Sequence, residues 1–252
     1  MIPSQLKIKI SLFLLTILMS FPTITQASEG YNEFLELYDG LLYEYIVPTQ
    51  KNGISYNGVN YDLWAKDERH ARALSLLLNA EFKKNDLAYL SNLYNFLTID
   101  LIVESGERES IRNLGGFLLR NPWKRYKWTV DGQERTLDEI EHKFMRPLGD
   151  ARIHFTINCA AISCPDLRAE AYRKNRLDEQ FDEQVRLSLK NTNKGMRLEE
   201  GTIYLTKIME WFREDFKNGN LIAWLNPYLE TKHPENTEVK FLPYDWSLNI
   251  AK

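Results

Sequence analysis

Two cysteines, Cys159 and Cys164, make up the whole thiol complement of this 252-residue chain, and both lie in one short polar stretch. Arg152, His154, Asn158 and Ser163 share that stretch. Apolar and polar residues alternate from Arg152 to Cys159, the pattern of a strand. On that reading Arg152, His154, Thr156 and Asn158 face one way, and Ile153, Phe155, Ile157 and Cys159 face a core. Cys159 then reads as a small buried hydrophobe. Cys164-Pro165-Asp166 reads as a helix start, where unpaired backbone N–H groups and the helix dipole stabilise a thiolate. Such a thiolate beside a histidine is the arrangement of cysteine acyl-transfer chemistry. Cys164 is the expected nucleophile, and His154 or His142 its base. Asn158 or the helix-start N–H groups would hold an oxyanion, Arg152 a carboxylate, and Ser163 a further substrate contact. Glu141 adjoins His142, but neighbouring helix residues diverge by about 100°, so it is expected as a substrate contact and not as the orienter of that ring.

Two other chemistries suit the same residues. A Cys159–Cys164 disulfide would leave a non-catalytic face of Arg152, His154 and Asn158, able to grip an envelope peptide, glycan or small anion, or merely to meet solvent. Redox exchange through the pair ranks last, because the spacing does not resemble Cys-x-x-Cys. His70 and His233 offer no evident partners. No paired ligand spacing marks a metal site, and no cofactor is expected. Asn92 and Asn95, three apart in an apolar run, need hydrogen-bond partners if buried; they would brace the polar stretch, contact substrate or bind backbone.

The elements that must position these groups follow from periodicity and capping. Apolar residues at helical spacing predict helices over 31–47 and 67–82. Asp86 caps a mostly apolar helix over 87–104, expected to be central and covered on most sides. Ile54 to Tyr61 reads as a hairpin turning at Asn57-Gly58, and 127–135 as another turning at Asp131-Gly132. Thr136 and Glu139 form a capping box for a helix that carries Glu141 and His142 and stops at Pro147. Helices over 177–190, 206–217 and 220–229, a hairpin near Glu200-Gly201 and a strand at 238–242 complete the pattern. Helices and strands mix without strict alternation, which predicts a single α+β domain: a central apolar helix, a small mainly antiparallel sheet and surrounding helices. Its parts bear a distant analogy to papain- and transglutaminase-like enzymes, with the order of histidine and cysteine permuted.

Lys7 and Lys9 precede an apolar run from Ile10 to Phe21, then Pro22 and Thr25-Gln26-Ala27. This is the layout of a secretory signal, predicting cleavage after Ala27, a globular domain over 28–252 and a periplasmic or secreted product. The run is short of the roughly 20 residues of a membrane span, so no stable span is expected after cleavage. The whole chain carries a formal charge of −3. Without the leader, 30 basic side chains face 35 acidic ones, a charge of −5, which argues against a nucleic-acid partner.

Four motifs in order are similar to the uncharacterised family known as domain of unknown function 547. They are Asn92-Leu93-Tyr94-Asn95, Leu137 to His142, Arg152 to Pro165 with both cysteines, and Tyr244-Asp245-Trp246-Ser247-Leu248-Asn249. The resemblance runs from about Asp86 to Asn249 and includes the segment of Trp211 and Asp215. It implies a bacterial exported or envelope protein and brings no activity with it. The chain departs from the family pattern at Tyr89-Leu90-Ser91, Asp100 and Ala160.

Overall fold

The computed structural model describes residues 24–116 and 121–251. The leader expected over 1–27 falls outside them, except that its last residues open the first helix, α1 (Ile24–Tyr45). A hairpin of β1 (Ile46–Lys51) and β2 (Ile54–Val59) follows, then α2 (Tyr61–Trp64), α3 (Glu68–Asn79) and α4 (Leu87–Ser105). Next come α5 (Pro122–Arg125), a hairpin of β3 (Trp128–Val130) and β4 (Gln133–Arg135), and α6 (Leu137–Glu139). A π-helical turn, Ile140–Met145, continues α6, and a single helical turn, α7 (Ile153–Thr156), follows it. The chain closes with α8 (Leu177–Lys190), β5 (Met196–Glu199), β6 (Thr202–Leu205), α9 (Lys207–Trp211), α10 (Leu221–Leu225) and β7 (Val239–Phe241). The α+β domain is as expected, with strands confined to two hairpins and one three-stranded sheet in which β7 runs parallel to β6. Among the described residues no helix is long and apolar enough to cross a membrane.

α4 is the central helix. The Asp86 carboxylate accepts the Tyr89 N–H at its start, Gly106 ends it in the left-handed region, and every residue from Leu87 to Ile102 is buried. A helix apolar on all sides must be covered on all sides, and α1, α2 and α6 with its π-helical extension do much of that covering. A second core lies among α8, β6, α9 and α10, around Val185, Leu205, Met209, Phe216 and Leu225.

Two expectations are corrected here. Arg152 to Cys159 is not a strand. Ile153–Thr156 is a helical turn, begun where the Asp150 carboxylate accepts the Arg152 N–H and followed by extended backbone at Ile157. Apolar residues at 151, 153, 155 and 157 alternate, but they are also two i,i+4 pairs, and such pairs share a helix face. Ile153 and Ile157 enter the core around α4, while Ala151 and Phe155 enter the second core. A turn sandwiched between two cores needs both faces apolar, which looks like strand alternation when read locally.

The first hairpin turns at Asn52-Gly53, both at positive φ, and not at Asn57-Gly58. Gly58 lies within β2 for another reason. A Cβ there would fall 2.8 Å from the backbone of Ala251 and 2.6 Å from the Thr49 hydroxyl oxygen, so only glycine admits the C-terminal segment.

Candidate active site

A cleft of about 190 Å³ opens where α4, α7, α9, the π-helical turn and the C-terminal segment meet. Its walls are largely aromatic, from Tyr94, Trp123, Trp211, Phe212, Tyr244 and Trp246, and its polar groups include Asp138, Glu141, His142, His154, Cys159 and Cys164.

The cysteine loop is held by the far end of the chain. The Asn249 N–H donates to the Ala160 carbonyl, Ile162 N–H to Ser247 and Ser163 N–H to Asp245, so residues 245–249 run alongside 160–163. Ala160 takes a positive φ of 61° within this loop. Lys194, buried in the protein, ties down the carbonyls of Ile162 and Cys164 and the Asp166 carboxylate, the last at 2.6 Å. No helix begins at Cys164, so the dipole expected to activate that thiol is absent.

The burial of the two thiols is the reverse of that expected. Both are free. Cys164 is only 3 % exposed, and its sulfur accepts the Cys159 N–H at 2.9 Å. Burial and the neighbouring Cys159 push its pKa well up. Cys159 is half-buried, and its sulfur lies 3.1 Å from the Tyr244 hydroxyl. Burial acts to raise its pKa, but hydrogen bonds from the Cys164 thiol, the Tyr244 hydroxyl and the Ala161 N–H outweigh that and lower it. Tyr244, half-buried beside the thiols, keeps its proton because desolvation and the neighbouring thiols drive its own pKa up. Cys159 is therefore the thiol disposed to ionise.

The π-helical turn explains how two sequence neighbours reach one cleft. The Arg146 N–H donates to the Glu141 carbonyl, five residues back, which widens the turn, and both Glu141 and His142 line the cavity. Glu141 is 8 % exposed, and no hydrogen-bond partner holds its carboxyl among the described residues. Desolvation pushes its pKa up to about 7; Arg146 opposes the shift and the charge of Cys159 adds to it. His142 stands 3.5 Å from Asp138 and 3.4 Å from Arg146, with burial lowering its pKa. His154 is stacked on Phe212 with ring centres 4.1 Å apart, and its Nε2 meets Asp215 at 2.8 Å. Burial also lowers the His154 pKa, so both imidazoles are neutral at neutral pH. Asp215 binds the Arg146 guanidinium with both oxygens, and hydrogen bonds from His154 and Arg146 hold its carboxyl well below the ordinary carboxylate range.

Cys164, His142, His154 and Glu141 thus meet at the cleft as a set, and the other predicted contacts do not. Arg152 faces away and is held by Asp150, Asp178 and Asp182, at 2.7 Å, 2.7 Å and 2.8 Å. The Asn158 amide serves its own loop, donating to Pro165 and accepting the Ala160 N–H, so it makes no oxyanion site. The Ser163 hydroxyl oxygen accepts the Asp245 N–H. Asn92 pairs with both backbone groups of Tyr172, and Asn95 with the Thr156 carbonyl and the Asn158 N–H, so both amides brace loops.

His70 also has partners that local spacing did not reveal. It accepts from the Trp64 indole and meets Asp100, which in turn accepts from the Trp128 indole. His70, Asp100 and Glu104 are the one set of possible metal ligands gathered within 4.8 Å among the described residues. Both ring nitrogens of His70 are already engaged, so the cluster fits a structural knot and not a metal site. Local sequence did not point to Tyr244, which lines the cleft, or to Arg146 and Asp215, which contact His142 and His154 from behind. Tyr244 and Asp215 lie in segments that the family resemblance covers, which was the one available signal.

Residues 78–187 match the model of a family described as "Protein of unknown function, DUF547". This segment, from the end of α3 into α8, resembles that family and holds Glu141, His142, His154 and both cysteines, while Asp215 and Tyr244 lie beyond it. No curated protein and no solved structure matches the chain.

Proposed function

We propose that the protein is a cysteine-dependent acyl-transfer enzyme, hydrolase or transferase, acting in the cell envelope with Cys159 as its nucleophile. One observation carries the reading: a free, half-buried thiol at an aromatic-walled cleft, with the Tyr244 hydroxyl 3.1 Å from its sulfur. In the reaction the Cys159 thiolate adds to an acyl carbonyl, and a thioester forms as the bond to the leaving group breaks. Glu141, which keeps its proton to about pH 7, protonates that leaving group. Water or an amine then attacks the thioester, and the neutral His142 takes the proton released. The proton passes from His142 back to Glu141, Cys159 departs as thiolate, and the cycle closes. The Trp123 indole N–H, buried at the cleft wall and without a hydrogen-bond partner among the described residues, is a donor available to the acyl oxygen. His154, held by Asp215 and Phe212, is a positioning residue of the wall.

Export and envelope location rest on the Lys7–Ala27 segment and on the family resemblance. The substrate on this reading is an envelope peptide, glycan conjugate or small acyl donor.

The test uses p-nitrophenyl acetate and mass spectrometry of proteolytic fragments. An acetyl group is expected on Cys159, with a burst of nitrophenol, and both should vanish in Cys159→Ser but survive in Cys164→Ser. Acetylation of Cys164 in its place, or of neither thiol, would overturn the assignment.

A further inference from the structure

The separation of the cysteines in sequence argues against redox exchange; their placement in the fold argues for it. The loop from Asn158 to Cys164 folds back so that the Cys159 N–H donates to the Cys164 sulfur at 2.9 Å, which brings the Cys164 side chain against the Cys159 backbone. The loop is pinned at several points, by Asn249, Ser247 and Asp245 on one side and Lys194 on the other. The two thiols are also unequal in access. Both line the aromatic cleft, but Cys159 is half-buried, whereas Cys164 is almost wholly buried and packed with Ala161 and Ile208.

A half-buried thiol beside an almost wholly buried one is the division of labour of a dithiol exchange centre. One sulfur meets the external partner, and the second, shielded from solvent, resolves the adduct. We propose that Cys159 and Cys164 form a resolving dithiol pair that reduces an external disulfide bound in the cleft. The idea rests on the accessibility of Cys159, which the acyl-transfer reading shares, and adds a role for Cys164 that acyl transfer does not need.

The chemistry balances as a two-electron exchange. The Cys159 thiolate attacks one sulfur of the external disulfide, forming a mixed disulfide and expelling the other sulfur as a thiolate. The Cys164 thiol then attacks the Cys159 sulfur. The internal disulfide forms, the second external sulfur leaves, and the Cys164 proton passes to it. The external disulfide is reduced to two thiols, and the two protein thiols are oxidised to one disulfide. The lowered pKa of Cys159 favours the first attack at neutral pH, and the high pKa of Cys164 keeps that thiol from competing for it.

Oxidised glutathione is the probe, applied to the reduced full chain under anaerobic conditions, with intact-mass and peptide mass spectrometry as readouts. The expected product is a chain lighter by two hydrogens, with a Cys159–Cys164 linkage, no retained glutathione, and both thiols restored by dithiothreitol. Cys164→Ser should stop at a stable glutathione adduct on Cys159, and Cys159→Ser should remain unmodified. A wild-type chain that keeps a glutathione adduct would overturn the resolving role of Cys164. A wild-type chain that stays fully reduced while Cys159 still accepts acetyl from p-nitrophenyl acetate would overturn the exchange and leave the acyl-transfer reading standing. Failure of Cys159 toward both reagents would remove both.

Discussion

The Tyr244 hydroxyl lies 3.1 Å from the Cys159 sulfur, across 85 residues of chain. With Tyr244 in its protonated state, the hydroxyl donates to the sulfur and favours the thiolate. Neither residue carries this property in its own local sequence.

Removing that donor should be visible directly. A hydrogen bond to a charged group is worth about 1.5–3 kcal/mol, and about 1.4 kcal/mol corresponds to one pKa unit. Tyr244→Phe should therefore raise the midpoint of the pH profile for Cys159 alkylation by iodoacetamide by about one unit or more. At neutral pH the rate should fall several-fold. An unmoved midpoint would mean that the hydroxyl does not support the thiolate.

Glu141 makes stability depend on pH with a definite sign. Its carboxyl titrates near 7 in the folded protein, against an ordinary value of 4.5. Below 4.5 both states hold the proton and nothing is lost. As pH rises towards 7 the unfolded chain ionises while the folded one resists, so the folded state loses stability, and above 7 the loss is complete. The shift corresponds to about 3 kcal/mol at most. Glu141→Gln, which cannot titrate, should be more stable than wild type at about pH 8 by up to that amount, relative to the difference between the two proteins at about pH 4. Urea unfolding at the two pH values measures this. An equal difference at both would show that Glu141 is not the group responsible.

Asn95 supports the cysteine loop through two backbone groups, the Thr156 carbonyl and the Asn158 N–H. Both are deep in the protein, where an orphaned polar group costs about 1–3 kcal/mol. Asn95→Ala should destabilise the fold by about 2–4 kcal/mol and slow Cys159 alkylation, because the loop that aims the thiol loses its brace. Thermal unfolding and alkylation rates check the two effects. A loss below about 0.5 kcal/mol with unchanged reactivity would mean that the loop is held without it.

Much of the scaffold could be read from residues alone wherever the controlling interaction is short in sequence. The Asp86 cap, the Thr136–Glu139 capping box and the turns at Asp131-Gly132 and Glu200-Gly201 each depend on side chains and backbone within a few positions, and each stands as expected. The apolar composition of 87–104 likewise announced a helix covered on every side.

Wherever two local solutions were equally good, distant contacts made the choice. Asn52-Gly53 and Asn57-Gly58 are equivalent turn signals, yet only the second meets the C-terminal segment, where Val59 bonds Asn249 and Ala251 lies against Gly58. Residues 151–157 suit a strand or a two-faced helical turn, and the presence of a core on each side selected the turn. The chemistry depends on distance in the same way. Which thiol ionises is set by what buries it and what donates to it, and for Cys159 the donors include a tyrosine from the far end of the chain. Residue types announced a pair of neighbouring thiols; burial and long-range hydrogen bonds set how the two differ, because a pKa belongs to an environment and not to a residue.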